Sequence, residues 1–272
     1  MTLDQLPPLR DSLQAHGLIA RKSFGQHFLL DLNLTRKIAG LAGLSPDSLV
    51  IEVGPGPGGL TRSLLSAGAR VIAVEKDARF LPLLEELTEA SAGRLTVVNA
   101  DALKADEAHL TDGAPACVVS NLPYNVGSML LLKWLLGPWR PTSMTLMFQK
   151  EVAQRLVAVA GSEAYGRLSV ITQSICAASM VMTLPARAFT PPPKVDSAVV
   201  HLTPLAERPD QHLLNALERI TAAAFGQRRK MLRSSLRAVG GDALCLAAGL
   251  DPNQRAETVD LAGYLALARR LE

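Results

Sequence analysis

Cysteine is scarce and scattered. Cys117, Cys176 and Cys245 lie far apart and form no C-x-x-C pair, which argues against a disulfide framework or a zinc site and for a reducing cytosol. The five histidines show no metal-ligand spacing, so no metal is expected. Long apolar runs are missing too. The most apolar stretches, 129–136 and 170–184, are interrupted by Lys133 and Gln173, and neither approaches the ~20 apolar residues of a membrane span. Residues 1–20 lack the apolar core of a signal peptide. A strong charge imbalance is absent: the formal charge is +3 and the sequence pI about 8.9. A nucleic-acid partner must therefore show itself in local clusters. No repeat or low-complexity segment occurs. What remains is a chain of 272 residues, 48% hydrophobic and 19% charged, enough for one large domain or one domain plus a smaller one.

One stretch carries chemistry. The apolar run Ala116-Cys117-Val118-Val119-Ser120 reads as a buried strand ending in a sharp turn, Asn121-Leu122-Pro123-Tyr124. The Asn121 amide oxygen and the Leu122 carbonyl can each accept from an exocyclic amine, and Tyr124 can stack on a flat base. The same residues also make an ordinary turn, so the surroundings decide.

Residues 49–53 form a short strand that runs into Gly54-Pro55-Gly56-Pro57-Gly58-Gly59 and then a helix over about 60–67. Strand, glycine loop, helix is the nucleotide-cofactor arrangement of a doubly wound α/β sheet. The loop fits both G-x-G-x-G and G-x-G-x-x-G, so Gly54 and Gly56 do not choose between a dinucleotide and S-adenosylmethionine. A second strand, 70–74, ends at Glu75. An acid ~20 residues past the first glycine commonly binds ribose hydroxyls; otherwise Glu75 sits in a loop while Asp77 caps the next helix. Strand 95–99 is followed by Asp101, which either accepts from an adenine amine or only forms a turn.

Around this centre the pattern predicts a helix over 3–19, an ordered loop over 21–30 beginning Arg21-Lys22, and a helix capped by Asp31. Helix 125–136 is expected to bury Met129, Leu132 and Leu136, with a further strand over 142–148. Helices from Lys150 and over 166–177, a strand over 180–184 and a stiff three-proline loop, 189–197, come next, closed by an edge or antiparallel strand, 197–202. Past a linker near 204–210, helices are expected over 211–225, 228–238, 242–249 and 258–271. From Arg219 to Arg237 there are six basic residues and no acid, with Arg229, Arg233 and Arg237 on one helical face. That is either a solvated face or a phosphate-binding surface.

A dehydrogenase needs an acid or base near the substrate carbonyl, and no obvious His or Lys supplies one. Methyl transfer to an adenine amine needs less. Two acceptors on the N–H bonds favour a tetrahedral nitrogen whose lone pair aims at a sulfonium methyl. The base must leave its stack, and Tyr124 offers a replacement.

These features resemble the KsgA-type ribosomal RNA adenine dimethyltransferases. The likeness rests on Lys22-Ser23-Phe24-Gly25-Gln26-His27-Phe28-Leu29, Glu52-Val53-Gly54-Pro55-Gly56, Asn121-Leu122-Pro123-Tyr124-Asn125 and Gln149-Lys150-Glu151-Val152-Ala153. It continues through Tyr165-Gly166-Arg167-Leu168-Ser169-Val170, residues 189–197 and Arg228-Arg229-Lys230. It implies a class I S-adenosylmethionine-dependent methyltransferase, Rossmann-like, with a mostly parallel seven-stranded sheet over 1–204, including an N-terminal extension over 1–47. A small helical RNA-binding domain would occupy 205–272. The implied activity is transfer of four methyl groups to two adjacent adenosines near the 3′ end of 16S ribosomal RNA, in a pre-formed small subunit late in assembly; the cysteine pattern already points to a cytoplasmic protein, and nothing demands a dimer. By the same resemblance His27 and Leu29 would touch the methionine end of the cofactor, Gly54 and Gly56 would lie under it, Glu75 would bind its ribose and Asp101 its adenine. Asn121 would contact cofactor and target amine alike, beside Leu122. Phe189 would face Tyr124 across the target base, and Arg21, Lys22, Arg228, Arg229, Lys230 and Arg233 would meet RNA. His27 departs from the Asn of many relatives, and Pro57 from their Leu. Rival readings are a 23S ribosomal RNA methyltransferase, a catalytically silent assembly or transcription factor, and, more distantly, a nicotinamide dehydrogenase. The 189–197 loop and the basic C-terminal helices weigh against the first, and the intact 121–124 motif against the second.

Overall fold

The computed structural model describes residues 2–20, 26–227 and 229–271. Arg21, Lys22 and Arg228, three of the expected RNA contacts, lie outside the described residues.

In chain order the elements are α1 (Leu9–Ala15), β1 (Phe28–Leu29), α2 (Leu32–Leu41), β2 (Leu49–Val53), α3 (Gly59–Ser66), β3 (Arg70–Glu75), α4 (Leu81–Ala90), β4 (Leu95–Asn99), α5 (Glu107–Leu110) and β5 (Cys117–Asn121). There follow α6 (Gly127–Leu136), β6 (Met144–Gln149), α7 (Lys150–Leu156), α8 (Arg167–Ile175), β7 (Cys176–Leu184), β8 (Phe189–Thr190) and β9 (Ser197–Pro204). The chain ends in α9 (Gln211–Gly226), α10 (Leu232–Ser235), α11 (Gly241–Ala247) and α12 (Leu261–Arg269). One sheet has seven strands in the order β4-β3-β2-β5-β6-β9-β7. Strands β4 to β6 in that row are parallel, and β9 runs antiparallel to β6. The order turns at β2, whose neighbours are β3 and β5. A parallel sheet covered on both faces needs near-continuous apolar strands, and β2 and β3 supply them, with Val50, Ile51, Val71, Ala73 and Val74 all buried. Asp31 caps α2 as its spacing predicts, its side chain accepting from the Asn33 amide at 2.8 Å.

The chain divides into two compact units, 1–153 with 180–202, and 154–179 with 203–272. The expected boundary at 204 leaves 154–179 with the sheet. Their grouping with the helices follows from packing: Ala158, Tyr165 and Val170 share a core with Leu217, Ile220, Leu232, Tyr264 and Leu267.

Three expectations are corrected. The segment 228–238 is not one helix: only Leu232–Ser235 is α-helical, followed by a short 3-10 turn over Arg237–Val239, so Arg229, Arg233 and Arg237 share no continuous helix face. Helix α6 buries Leu130, Leu131, Trp134 and Leu135, while Met129 is exposed. A helix that is apolar nearly all round gives its sequence no unique inward stripe. The 3–19 stretch is broken at Pro7-Pro8 into a 3-10 turn and α1, since proline cannot continue a helix.

Candidate active site

A cavity of about 230 Å³ opens at the carboxyl ends of β2, β3 and β5 and is bordered by the segment around β1. This is the switch point of the sheet, where open α/β folds bind ligands. The glycine loop forms its floor. Gly54 has φ +67° and Gly56 φ +53°, backbone that favours glycine. A Cβ on Gly59 would lie 2.6 Å from the Leu29 carbonyl oxygen, so this glycine lets α3 begin against β1.

Glu75 ends β3 and is buried. Its carboxylate accepts from the Gly56 amide at 3.0 Å and the Asp77 amide at 2.7 Å. Burial pushes its pKa up, against the pull of those two amides. Each carboxylate oxygen retains a lone pair for a further donor. Asp101 accepts from Lys76 Nζ and the Leu103 amide, at 2.9 and 3.0 Å, and the Lys76 contact holds its pKa below the usual range. Both acids line the cavity.

Asn121 ends β5. Its Nδ2 donates to the His27 carbonyl at 3.2 Å, and a carbonyl can only accept, so the amide orientation is fixed. Asn121 Oδ1 then remains an unused acceptor, and the Leu122 carbonyl takes no hydrogen bond either, both among the described residues. Ser120 anchors the turn by donating to the Val53 carbonyl at 2.6 Å. Tyr124 follows, its hydroxyl hydrogen-bonded to Ser197 and its ring stacked on His27.

Most of the expected residues meet here: His27, Leu29, Gly54, Gly56, Glu75, Asp101, Asn121, Leu122 and Tyr124 all line the cavity. Phe189 does not. It is 2% exposed and pairs with Leu29 across the two-stranded β1–β8 ribbon, which draws it into the core behind the cavity wall. The His27 ring lies against Tyr124, with Nδ1 2.8 Å from the Pro191 carbonyl. Arg229, Lys230 and Arg233 are exposed in the second unit.

Sequence reasoning gave no role to Glu52 and Lys76. Lys76 follows Glu75 directly and bonds Asp101, and its signal was adjacency. Glu52 is buried, lines the cavity and accepts from the Thr61 hydroxyl at 2.6 Å. Burial raises its pKa from 4.5 to about 8. The folded chain therefore keeps Glu52 protonated up to about pH 8, whereas the unfolded chain ionises it near pH 4.5. Stability is full below the unfolded value and falls as pH rises through the folded one. Glu52→Gln should remove that slope and gain roughly 3–5 kcal/mol over wild type by pH 8. Denaturant melts at pH 5 and pH 8 check this; parallel losses in both proteins would contradict it.

A glycine loop at a sheet switch point, an acid at the end of the next strand and an Asn-Leu-Pro-Tyr turn beside them define a class I S-adenosylmethionine-dependent methyltransferase. Solved structures agree. The dimethyladenosine transferase from Plasmodium falciparum superposes with TM-score 0.72 at 25% identity over 89% of this chain and 96% of that one. The 23S rRNA methyltransferase ErmE gives 0.67 at 30% identity over 90% and 99%. The family model for ribosomal RNA adenine dimethylase matches residues 17–272. The chain belongs to this ribosomal RNA adenine dimethylase family. Curated relatives called ribosomal RNA small subunit methyltransferase A are 66% identical in Phenylobacterium zucineum, over 98% of this chain and 94% of that protein, and 67% in Caulobacter vibrioides, over 92% and 97%.

Proposed function

We propose that the protein transfers methyl groups from S-adenosylmethionine to N6 of two adjacent adenosines near the 3′ end of 16S ribosomal RNA, two to each. It acts on a pre-formed small subunit, late in assembly, in the cytoplasm and as a monomer. The observation that carries this reading is the pair of unspent acceptors, Asn121 Oδ1 and the Leu122 carbonyl, at the rim of a cavity built for an adenosine cofactor. Identity of about two-thirds to small-subunit methyltransferases supports 16S RNA over the 23S RNA named for ErmE.

The cavity's acceptors fit the cofactor. A carboxylate held by two amides suits a cis-diol, and Asp101 suits the adenine amine. Leu29 and the backbone around His27 would border the methionine end, with Gly54 and Gly56 beneath it. Bound there, S-adenosylmethionine supplies an electrophilic methyl on a positively charged sulfur. Asn121 Oδ1 and the Leu122 carbonyl accept the two N–H bonds of the target amine. That draws the nitrogen lone pair out of the ring and aims it. No side chain need act as a strong base, because the alkylated nitrogen is acidic and sheds its proton. Tyr124 replaces the stacking lost when the base leaves its neighbours. Phe189 backs Leu29 across the ribbon and shapes the wall from behind.

The second unit is read as the RNA-binding domain. Arg229, Lys230 and Arg233 form no ion pair with a described residue, which leaves them for phosphates. Replacing Arg229 and Arg233 by Ala should weaken particle binding and lower the slope of log affinity on log salt by roughly 1–2. Unchanged binding at low and high salt would put the RNA surface elsewhere. The function itself is tested by incubating the protein with methyl-labelled S-adenosylmethionine and undermethylated small subunits. Label in 16S RNA supports it, and label confined to 23S RNA when large subunits are supplied defeats it.

A further inference from the structure

The Tyr124 ring is held at more points than a stacking surface needs. Its hydroxyl is bonded to Ser197, which is 0% exposed. Ser197 is itself pinned, opposite Gln149 in the antiparallel register of β6 and β9. One face of the ring is covered by His27, centroids 5.3 Å apart and planes 30° apart. His27 is tethered in turn: its Nδ1 lies 2.8 Å from the Pro191 carbonyl, and since the carbonyl can only accept, Nδ1 carries the proton. His27 and Pro191 flank the ribbon in which Phe28 pairs with Thr190. Two strand pairings that owe nothing to a ligand thus fix one aromatic ring.

We propose that His27 and Ser197 are positioning residues for the target adenine, holding the Tyr124 ring in place before the RNA arrives, with His27 as the back layer of a base–Tyr124–His27 stack. This rests on the functional reading above. The face of Tyr124 away from His27 is the one left to the base. A ring ordered in advance costs less to order on binding, and a ring backed by a second aromatic presents a rigid platform. A His at this position serves the RNA side of the site through its ring, while its carbonyl, by orienting Asn121, serves the chemistry.

The test separates the two substrates. Cofactor dissociation constants are measured by calorimetry, and KM for undermethylated small subunits by label transfer. His27→Ala should raise KM for the particle about tenfold, the scale of one lost stacking contact, and Ser197→Ala about fivefold, the scale of one lost hydrogen bond, each with cofactor affinity within twofold of wild type. Intact cofactor binding also certifies that each variant folds. His27→Phe should restore KM to within threefold, because it stacks without the Pro191 tether. Tyr124→Phe, Ser197→Ala and their double should be alike, since they remove one hydrogen bond. His27→Ala that weakens cofactor binding tenfold and leaves the particle KM unchanged would overturn the proposal, as would a Ser197→Ala enzyme with wild-type KM. Wild-type protein that labels no small subunit would defeat the functional reading first and this inference with it.

Discussion

Asn121→Ala should cut methyl transfer about 10³-fold while leaving a folded protein. The expected size follows from the site. Loss of one pre-set hydrogen-bonding group aimed at the reacting atom typically costs 10²–10³ in rate, and a misaimed amine adds a loss of orientation. Asn121 carries one of the two acceptors proposed for the target N–H bonds, and among the described residues only its Nδ2 contact to the His27 carbonyl, at 3.2 Å, engages its side chain. Removing that neutral contact costs roughly 1 kcal/mol of stability. The variant should therefore still bind S-adenosylmethionine, and single-turnover label transfer should separate the effect on chemistry from that on binding. Turnover like that of wild type would remove Asn121 from the mechanism.

Glu75→Gln should weaken S-adenosylmethionine binding on the order of 30-fold, because one lost hydrogen bond to a charged group is worth about 2 kcal/mol. The protein side sharpens the argument. Both Glu75 oxygens already accept backbone amides, from Gly56 and from Asp77. Glutamine has one oxygen, so its amide nitrogen must face one of those N–H groups, donor against donor, in a buried place. The glycine loop or the turn to Asp77 then shifts, and the ribose loses an acceptor. Calorimetry gives the affinity and a thermal melt reports the strain. Unchanged affinity would show that the ribose lies away from Glu75.

Much of the site was legible because its parts are local. Strands β2 to β5 announce themselves as apolar runs, the glycine loop follows β2 directly, and Glu75, Asp101 and Asn121 each stand at or just past a strand end. Sheet topology then brings them together without further information. The features that were not legible are long-range or side-specific. The β1–β8 ribbon joins pairs of residues some 160 positions apart, and two-residue strands leave no periodicity to read. That ribbon accounts for the buried Phe189, and it brings Pro191 to the His27 ring that lies on Tyr124. Helix α6, Gly-Ser-Met-Leu-Leu-Leu-Lys-Trp-Leu-Leu, is apolar on too many faces to show which turns inward. The 228–238 stretch has helix-favouring residues, yet its backbone is drawn into other contacts: Leu232 and Arg233 donate to the carbonyls of Gln254 and Pro252, at 2.8 and 2.9 Å, which keeps α10 from extending back before Leu232.

The central claim is dimethylation of adenine N6 in 16S RNA. Its most direct test is mass spectrometry of nuclease digests of 16S RNA, taken from undermethylated small subunits after incubation with the protein and S-adenosylmethionine. The account predicts N6,N6-dimethyladenosine at two adjacent positions near the 3′ end, absent without the protein. Unmodified 16S RNA from particles that the protein binds, with cofactor present, would contradict it.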